Sequence, residues 1–411
     1  MARGKRAGNV RMSASVTYLD HNASAPLLPE ARDAVLKALE LTGNPSSVHG
    51  HGRALRVLVD ESRAKVAKLA GAKREQVVFT GSATEAITQA IVGGAAALGV
   101  EGIVVSAGCH TSAIKAAEAT GLPVTTVGLD DSGVIRVDEI AAAIARASGK
   151  LLVAVHLVNN ETGVIQPVER VEVLVGASPH FLFVDAVQAL GKIELVFASR
   201  ATDMMALSAH KIGGPQGAGA LLMKGHADQV RLIPGGGQET GRRGGTEATA
   251  VIAGFGAAAE AFPSHYKAAH PVHILEIAET GIRALAPNAV IFGEKADRIG
   301  NTLNFAIPGL KNAVAMMGLD LRGISISSGS ACSSGKVGPS HVLKAMGVPA
   351  ELSECAMRLS VGWNSTEADI DAFLDGLTEV LNRHRERRIK AAPVSRAKPE
   401  TGSAFSDAAA K

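Results

Sequence analysis

Short apolar runs alternate with longer helical patterns through the first half of the chain, and this alternation most constrains the fold. The predicted strands are QVVFT (76–80), GIVVS (102–106), PVTTVGL (123–129), LLVAVHLV (151–158), HFLFVDA (180–186), MMALS (204–208) and GALLM (219–223). Helical patterns cover 54–70, 84–99, 112–121 and 137–147. The alternation predicts an α/β fold whose mostly parallel central sheet is covered by helices on both faces.

Length and a change of pattern predict more than one domain. A chain of 411 residues with 46% hydrophobic residues is long enough for two domains with separate cores. After the run VIAGFGAAAEAF, a long helical segment (266–286) leads into shorter strands. We therefore expect a large domain over 17–264 and a smaller α+β domain over 265–388. Residues 1–16 are expected to be a basic flexible extension, and 389–411 a disordered tail.

Composition argues against several classes of function. The net charge is only +3 and the basic residues are scattered, which argues against a nucleic-acid partner. No apolar run reaches membrane-spanning length. Cys109, Cys332 and Cys355 form no CxxC pair and no structural zinc pattern, so we expect no resident metal. This cysteine usage indicates a cytoplasmic location, while the basic stretch MARGKRAGNVRMSASV leaves an organellar location as the alternative.

Parallel sheets bind ligands outside the carboxyl ends of their strands, so the residues that follow each strand are the first candidates. The run VVFT leads into GSATEA, where Ala83 and Thr84 begin a helical pattern. Backbone N–H groups at a helix start can bind phosphate, and Thr84 adds a hydroxyl group. An ordinary helix cap is the more frequent explanation of such residues.

Two other strand ends offer opposite charges. Asp185 follows the apolar run of HFLFVDA, and Ser208, His210 and Lys211 come at the end of MMALS. Alone, Asp185 could cap a helix, and Lys211 could be a solvated loop residue. In combination, a carboxylate, an amine and a phosphate cup are what pyridoxal 5'-phosphate needs. Its aldehyde condenses with a lysine, its ring nitrogen faces a carboxylate and its phosphate binds a helix start.

Three more polar residues follow the predicted strands. His110 comes after VVSAGC, Asn160 comes after LLVAVHLVN, and Gln188 lies one turn beyond Asp185. An imidazole here could stack on a cofactor ring and move protons. An amide could bind the phenolic oxygen of the cofactor or a substrate carboxylate. The alternatives are a capping or core histidine and a turn-forming asparagine.

Three segments outside these strand ends carry reactive or charged residues. GGGQETGRRGGTEAT (235–249) holds Thr246 and is either a flexible lid or a phosphate contact for a neighbouring subunit. It lacks the G-x-G-x-x-G pattern, which weakens the case for a nicotinamide-dependent dehydrogenase. In SISSGSACSSGKVGPS, Cys332 lies among Ser and Gly, which favours an accessible, reactive thiol. Arg358 in AMRLSVGW could bind a carboxylate or form a structural ion pair.

Taken together, these stretches resemble the NifS/IscS-type cysteine desulfurases of the class V aminotransferase group. The similar stretches run in family order from about residue 17 to 363: YLDHNASAP, GNPSSVHGHGRALR, VVFTGSATEA, HLVNNETGVIQPV, FVDAVQALGK, LSAHKIGGPQGAGAL, GGGQETGRRGGTEAT and SSGSACSSG. The lysine and cysteine loops are the specific ones, and the SSGSAC form resembles the first of two desulfurase groups. The resemblance implies fold type I of the transferases that depend on pyridoxal phosphate.

The resemblance also implies a role for each position. Lys211 would bind the cofactor aldehyde, His110 would stack on the ring as acid and base, and Asp185 would face the pyridine nitrogen. The other implied positions are Gln188 and Asn160 at the phenolic oxygen, Ala83, Thr84, Ser208 and His210 at the phosphate, Thr246 at the phosphate of a partner subunit, and Arg358 with Asn160 at the substrate carboxylate.

The implied reaction is the removal of sulfur from L-cysteine to leave L-alanine. Cys332 would keep the sulfur as a persulfide and pass it to an iron–sulfur scaffold or another sulfur-acceptor protein. Its only metal contact would be as a transient, shared ligand of an iron–sulfur cluster. The role of Thr246 implies a homodimer. The sequence departs from the family at Val187, Ala209 and Trp363, and its C-terminal tail does not resemble the scaffold-docking tail of housekeeping members.

Two other hypotheses remain open at this point. One keeps the cofactor but assigns a lyase or transaminase reaction, for example one like that of a selenocysteine lyase, in which Cys332 is incidental. The other is a non-catalytic scaffold that kept the fold and works by binding partners. Visible absorbance of a bound cofactor and the products formed from L-cysteine distinguish them.

Overall fold

A computed structural model of the chain describes residues 16–328 and 339–391. The strands are β1 (Thr17–Tyr18), β2 (Val77–Thr80), β3 (Gly102–Ser106), β4 (Val124–Val127), β5 (Leu151–His156), β6 (Phe181–Asp185), β7 (Met204–Ser208), β8 (Gly219–Met223), β9 (Val290–Ile291), β10 (Thr302–Ala306), β11 (Ile324–Ser325) and β12 (Ala356–Ser360). The α-helices are α1 (Pro29–Leu39), α2 (Gly50–Leu69), α3 (Ala83–Thr88), α4 (Gly94–Ala97), α5 (Thr111–Ala119), α6 (Val137–Arg146), α7 (Val168–Gly176), α8 (Thr249–Ala268), α9 (Pro271–Leu285), α10 (Asn312–Asp320), α11 (His341–Ala345), α12 (Ala350–Ser353) and α13 (Glu367–Ala391).

A seven-stranded sheet with the order β2-β8-β7-β6-β5-β3-β4 forms the centre of the molecule. Strand β8 pairs antiparallel with both of its neighbours, and the other pairings in the sheet are parallel. This confirms the predicted α/β fold with a mostly parallel sheet. The predicted strands are all present, although the run LLVAVHLV leaves the sheet after His156.

The two faces of this sheet are each buried under helices. Along β6, Leu182 and Val184 belong to one hydrophobic cluster and Phe183 to another, because successive side chains of a strand point to opposite faces. The first cluster includes side chains of α2, α6, α7 and α8. The second includes side chains of α3 and α5. Burial on both faces explains why the strands are continuously apolar instead of alternating with polar residues.

A smaller set of strands forms around a third hydrophobic cluster. Strands β12, β10 and β9 make an antiparallel sheet, and β1 pairs in parallel with β11. Apolar side chains of α9, α10 and α13 join this cluster, and so does Leu19 from the start of the described chain. The N-terminal stretch, residues 17–23, therefore packs with elements that follow residue 270 in the sequence.

Three details differ from the sequence-based expectations. The segment 266–286 is two helices, because Pro271 begins α9 after His270, whose φ of 48° breaks the helical path. Helix α8 runs through residue 264, where the domain boundary was expected. Helix α13 ends at Ala391 and so extends into the segment predicted as a tail. The division into domains itself stays a prediction.

A glycine allows the start of α3 to lie close to the sheet. A Cβ atom on Gly219, the first residue of β8, would lie 2.5 Å from the carbonyl carbon of Ser82 and 2.7 Å from the backbone nitrogen of Ala83. Real side chains do not tolerate such distances, so only glycine allows β8 and the turn after β2 to pack this closely.

Gly219→Ala is expected to lower the free energy of unfolding by about 1–3 kcal/mol, because the added methyl group overlaps backbone atoms that cannot easily move. Urea unfolding measures the change. The matched control is Gly225→Ala, whose added Cβ would have no atom within 4 Å and should shift stability by no more than about 1 kcal/mol. Equal stability of the two variants would contradict this account.

Candidate active site

A cavity of about 250 Å³ lies at the carboxyl ends of the central parallel strands. The predicted site residues that line it are Ala83, Thr84, His110, Asn160, Asp185, Gln188, His210 and Lys211. Ser208, Thr246 and Arg358 are not part of its wall. Cys332 lies outside the described residues.

Lys211 lies on the 3-10 turn Ala209–Ile212 that directly follows β7. Its Nζ donates hydrogen bonds to the backbone carbonyls of Asn22, at 2.6 Å, and Ala23, at 2.9 Å. Both residues also line the cavity. The two carbonyls accept hydrogen bonds from the amine of a lysine that follows a buried strand. They belong to the N-terminal stretch, to which the sequence analysis gave no role in the site.

Asp185 is the last residue of β6 and is buried. Burial raises the pKa of its carboxyl group, while a hydrogen bond from the backbone N–H of Val187 and the nearby His110 and Lys211 act in the opposite direction. The bond from Val187 to Oδ1 is 3.0 Å long. A buried carboxylate with a raised pKa is stabilised by a cationic group placed against it.

His110 both caps a helix and lines the cavity. Its Nδ1 accepts a hydrogen bond from the backbone N–H of Ser112, at 3.2 Å, at the start of α5. The same nitrogen lies 2.7 Å from the Ser112 hydroxyl oxygen. Because Nδ1 is an acceptor in this network, we assign a ring proton to Nε2. The capping alternative and the cavity position are therefore both realised.

A third histidine, His156, lines the cavity beside His110 and His210 and was missed by the sequence analysis. Burial, with a smaller effect of His341, lowers the pKa of His156 to about 3, so its ring is neutral. Its Nε2 lies 3.3 Å from the amide nitrogen of Asn159, and its Nδ1 lies 3.6 Å from the thiol of Cys109. Burial raises the pKa of the Cys109 thiol, which makes that cysteine a poor nucleophile.

The start of α3 forms another part of the wall. The hydroxyl of Ser82 caps this helix by accepting from the N–H of Glu85 at 3.1 Å. The first N–H groups of a helix, here those of Ala83 and Thr84, have no carbonyl acceptor within the helix and can bind an anion.

Ser208, the last residue of β7, and His210, two residues further on, differ in their contacts. Burial and then Lys211 lower the pKa of His210 to about 4, and its Nδ1 lies 3.3 Å from the hydroxyl of Ser24. The buried Oγ of Ser208 has no hydrogen-bond partner in the described part of the chain. An unsatisfied buried hydroxyl is costly, so a hydrogen-bonding ligand would satisfy it.

The amides of Gln188 and Asn22 connect the cavity to the N-terminal stretch. Gln188 Nε2 donates to the Asn22 carbonyl at 3.1 Å, and its Oε1 accepts from Lys192 at 3.1 Å. The Asn22 side-chain amide donates to the carbonyl of Asn160 at 3.2 Å. These bonds fix the part of the wall that Gln188 and Asn160 share.

Arg358 lies behind the cavity wall on β12 and is almost fully buried. Its Nη2 pairs with Asp20 at 2.6 Å, and its Nη1 donates to the carbonyl of Asn160 at 3.0 Å. The ion-pair alternative therefore describes its contacts in this structure. Its role toward a substrate carboxylate stays a prediction. Thr246 is exposed, and the structure does not bring it to the cavity of its own chain.

A larger, more open cavity of about 920 Å³ lies elsewhere on the surface. Its buried charges are already engaged, since Arg63 pairs with Glu239 at 2.6 Å. We therefore assign the chemistry to the smaller cavity. Among residues 16–328 and 339–391, no group of His, Cys, Asp or Glu side chains could hold a metal ion. Over the same ranges, the helices are too short or too polar to cross a bilayer.

Asp185→Asn is expected to stabilise the protein prepared without a cofactor. The folded-state pKa of Asp185 lies above its unfolded value, so the folded chain holds this proton more tightly. As the pH rises above the unfolded value, stability linked to that proton is lost in the wild type and not in the variant. Urea titrations at several pH values from about 4.5 to 8 should show a growing gap in favour of the variant.

The exposed Asp375 on α13 provides the matched control. Asp375→Asn makes the same chemical change where there is no buried charge to relieve. A gap with the same pH dependence in both variants would contradict the burial argument for Asp185.

Comparison with known proteins identifies the family. The aminotransferase class-V family matches residues 17–373. The cysteine desulfurase IscS of Dictyoglomus turgidum is 34% identical over 378 residues, which cover 90% of this chain and 95% of that protein. A cysteine desulfurase of Cereibacter sphaeroides is 37% identical over 376 residues, covering 90% and 96%.

The X-ray structure of a NifS-like protein from Rickettsia africae has a TM-score of 0.81 to this chain at 28% identity, covering 89% of this chain and 99% of that one. The fold, the sequence comparisons and the residues of the cavity thus indicate the same family. The chain belongs to the aminotransferase class-V family, and within it to the cysteine desulfurases, whose cofactor is pyridoxal 5'-phosphate.

Proposed function

We propose that the chain releases sulfur from L-cysteine with pyridoxal 5'-phosphate held on Lys211, and that Cys332 receives the sulfur. The observation that carries the proposal is that Lys211, Asp185 and His110 line one cavity at the carboxyl ends of parallel strands. An amine, a buried carboxylate and an imidazole are the groups that such a reaction requires. When bound, the cofactor supplies a ring that accepts electrons from the substrate.

The residues around the cavity fit this cofactor. The Asp185 carboxylate, whose pKa is raised by burial, would be paired by the protonated ring nitrogen. The N–H groups of Ala83 and Thr84, with His210 and the unsatisfied hydroxyl of Ser208, would hold the phosphate. Gln188 and Asn160 would lie at the phenolic oxygen. Each of these contacts with the cofactor is part of the proposal.

Proton movement is assigned to two residues of the chain. Lys211 Nζ, held by the Asn22 and Ala23 carbonyls, gives up a proton to become a nucleophile and later returns protons to the substrate carbon. His110 exchanges a proton with the substrate through its imidazole ring, which lines the cavity. Arg358 and Asn160 are proposed for the cysteine carboxylate, which would compete with Asp20 for the guanidinium group.

The sulfur step balances without an external oxidant. The thiolate of Cys332 attacks the sulfur of bound cysteine, so that an S–S bond forms while the C–S bond breaks. The electron pair of the C–S bond stays with carbon, which takes up a proton, and the products are alanine and a persulfide. The other two cysteines, Cys109 and Cys355, are buried, which supports Cys332 as the nucleophile.

A homodimer is proposed as the active form. Thr246 is exposed and away from the cavity of its own chain, as expected of a residue that reaches the phosphate bound to a partner. The segment from α1 to α2 exposes apolar side chains at Leu36, Leu39, Leu41, Val48 and Val57. Contiguous patches of exposed apolar residues mark protein–protein interfaces, and these five residues lie close together in the sequence.

We also propose the remaining sequence-based expectations. The persulfide is passed to an iron–sulfur scaffold or another sulfur-acceptor protein, with no nucleic-acid or membrane partner, in the cytoplasm. The chain divides near residue 264 into a large and a small domain, which the separate hydrophobic cluster around α9, α10 and α13 supports.

Cys332→Ala should lower the formation of alanine and sulfide from L-cysteine by at least about 100-fold, because the sulfur has no acceptor. The measurement is product analysis in the presence of a reductant, and the visible absorbance of the bound cofactor should be unchanged. Cys355→Ala, at a buried cysteine outside the cavity, is the control and should retain activity. If Cys332→Ala forms both products at the wild-type rate, the reaction is that of a lyase with no persulfide on this residue.

Mixed dimers test the role of Thr246. Lys211→Ala and Thr246→Ala are each expected to be impaired alone, the latter with cofactor binding weakened by roughly tenfold or more. Co-expression gives dimers in which one of the two sites has both Lys211 and the Thr246 of its neighbour. Activity of the mixture should exceed that of either variant. If mixing restores nothing, Thr246 does not act across an interface.

A further inference from the structure

A second lysine, Lys192, lies next to the site but outside the cavity wall. It follows Gly191, whose φ of +72° turns the chain sharply after the segment that carries Gln188. Its Nζ donates a hydrogen bond to the Gln188 side-chain oxygen at 3.1 Å. No role has been assigned to this residue so far, although it is half-buried and contacts a side chain of the cavity.

The contact with Lys192 determines which end of the Gln188 amide faces the cavity. An ammonium group has only donors, so it must meet the oxygen of the amide and not its nitrogen. The Gln188 nitrogen accordingly donates to the Asn22 carbonyl at 3.1 Å, and it keeps a second hydrogen to donate. Without Lys192, the amide could rotate and present an acceptor instead.

The same hydrogen-bond path connects the two lysines. The Asn22 carbonyl accepts from Gln188 Nε2 and also from Lys211 Nζ, which is 2.6 Å away. Lys192 and Lys211 are therefore connected through Gln188 and the Asn22 carbonyl. Burial and then the charges of Lys211 and Arg358 lower the pKa of Lys192 to about 7. Interaction between two titrating groups is mutual, so the charge of Lys192 acts equally on Lys211 at pH values below about 7, where Lys192 keeps its proton.

We propose that Lys192 is a positioning residue for the cofactor site. It holds the Gln188 amide with its NH₂ group toward Asn22 and the cavity, and its positive charge opposes a second positive charge on Lys211. The result is a hydrogen-bond donor ready for an anionic oxygen and a cofactor lysine that loses its proton more readily. This proposal rests on the proposed function, in which Lys211 holds the cofactor.

Other charged groups surround this pair. Arg358, which faces Lys192, is paired with Asp20 at 2.6 Å. His21 faces it as well; burial and then Lys192 lower the pKa of His21 to about 3, so its ring is neutral. Around Lys211 stand Asp185 and the neutral His210, and these are unchanged by a substitution at residue 192.

The test is a pH titration of the full-length holoprotein, read by the visible absorbance of the bound cofactor. In Lys192→Met, a nearby positive charge is lost, and the phenolic oxygen loses its oriented donor. Both changes strengthen proton binding at the lysine–cofactor linkage, so the midpoint should move upward by about one pH unit. Lys192→Arg keeps the donors and stays charged at every pH of the titration, so its midpoint should be no higher than that of the wild type.

A second readout does not require the cofactor. In the cofactor-free full-length chain, the acetylation of Lys211 by acetic anhydride is followed by mass spectrometry as a function of pH. The midpoint for Lys211 should again rise in Lys192→Met, which makes the reaction up to about tenfold slower at a fixed pH near 6, where Lys192 of the wild type is charged. Borohydride reduction and peptide mapping of the holoprotein separately show whether Lys211 carries the cofactor, so failure of the proposed function and failure of this inference are distinguishable.

Lys224→Met is the matched control. Lys224 is also partly buried and donates to the carbonyls of Phe197 and Ala198, yet it does not touch the cavity. Its loss should leave both midpoints unchanged. If Lys192→Met does not fold, Lys192→Gln removes the charge and keeps a donor for Gln188, and its midpoint should rise by a smaller amount. An unchanged midpoint in a folded Lys192→Met or Lys192→Gln variant would overturn the proposal.

Discussion

The parallel course of β3, β5, β6 and β7 is the constraint on which the site depends. Strands that run in one direction release their chains at the same edge of the sheet, so residues far apart in sequence are brought together there. His110, Asn160, Asp185 and Lys211 each follow or end one of these strands. The antiparallel strand β8 begins at this edge with Gly219. Because glycine has no side chain, the turn after β2 can approach closely there, and the edge is not interrupted.

Sequence patterns were sufficient for the parts of the site that lie at strand ends. An apolar run followed by Asp185, or by Lys211, shows both the strand and the polar group that ends it. The carbonyls of Asn22 and Ala23 could not be found in this way. They lie 189 and 188 residues from Lys211, and backbone carbonyls have no residue-type signature. His156 was hidden because it ends a strand inside a longer apolar run.

The position of Arg358 shows a different limit of sequence reasoning. Its residue type is compatible with either a substrate carboxylate or a structural ion pair, and only the fold shows that Asp20 is adjacent. The same limit of sequence reasoning applies to Thr246, since the sequence of one chain does not show what an exposed loop residue contacts. Within the cavity, burial moves the pKa of Asp185 upward and those of His156 and His210 downward, in each case toward the neutral form. A buried site of this kind favours a ligand that brings its own complementary charges.

The N-terminal stretch connects the two smaller sheets to the site at the edge of the seven-stranded sheet. Residues 17–21 are hydrogen-bonded to β11 and β12, among them Leu19 to Ser325 and Ser360 to Leu19, while the next two residues hold the Lys211 amine. This stretch is therefore a short connection between the smaller sheets and the Lys211 amine. A rotation of the smaller sheets against the seven-stranded one would move these two carbonyls directly, and so would displace the partners of the amine before it reached the carboxylate of Asp185.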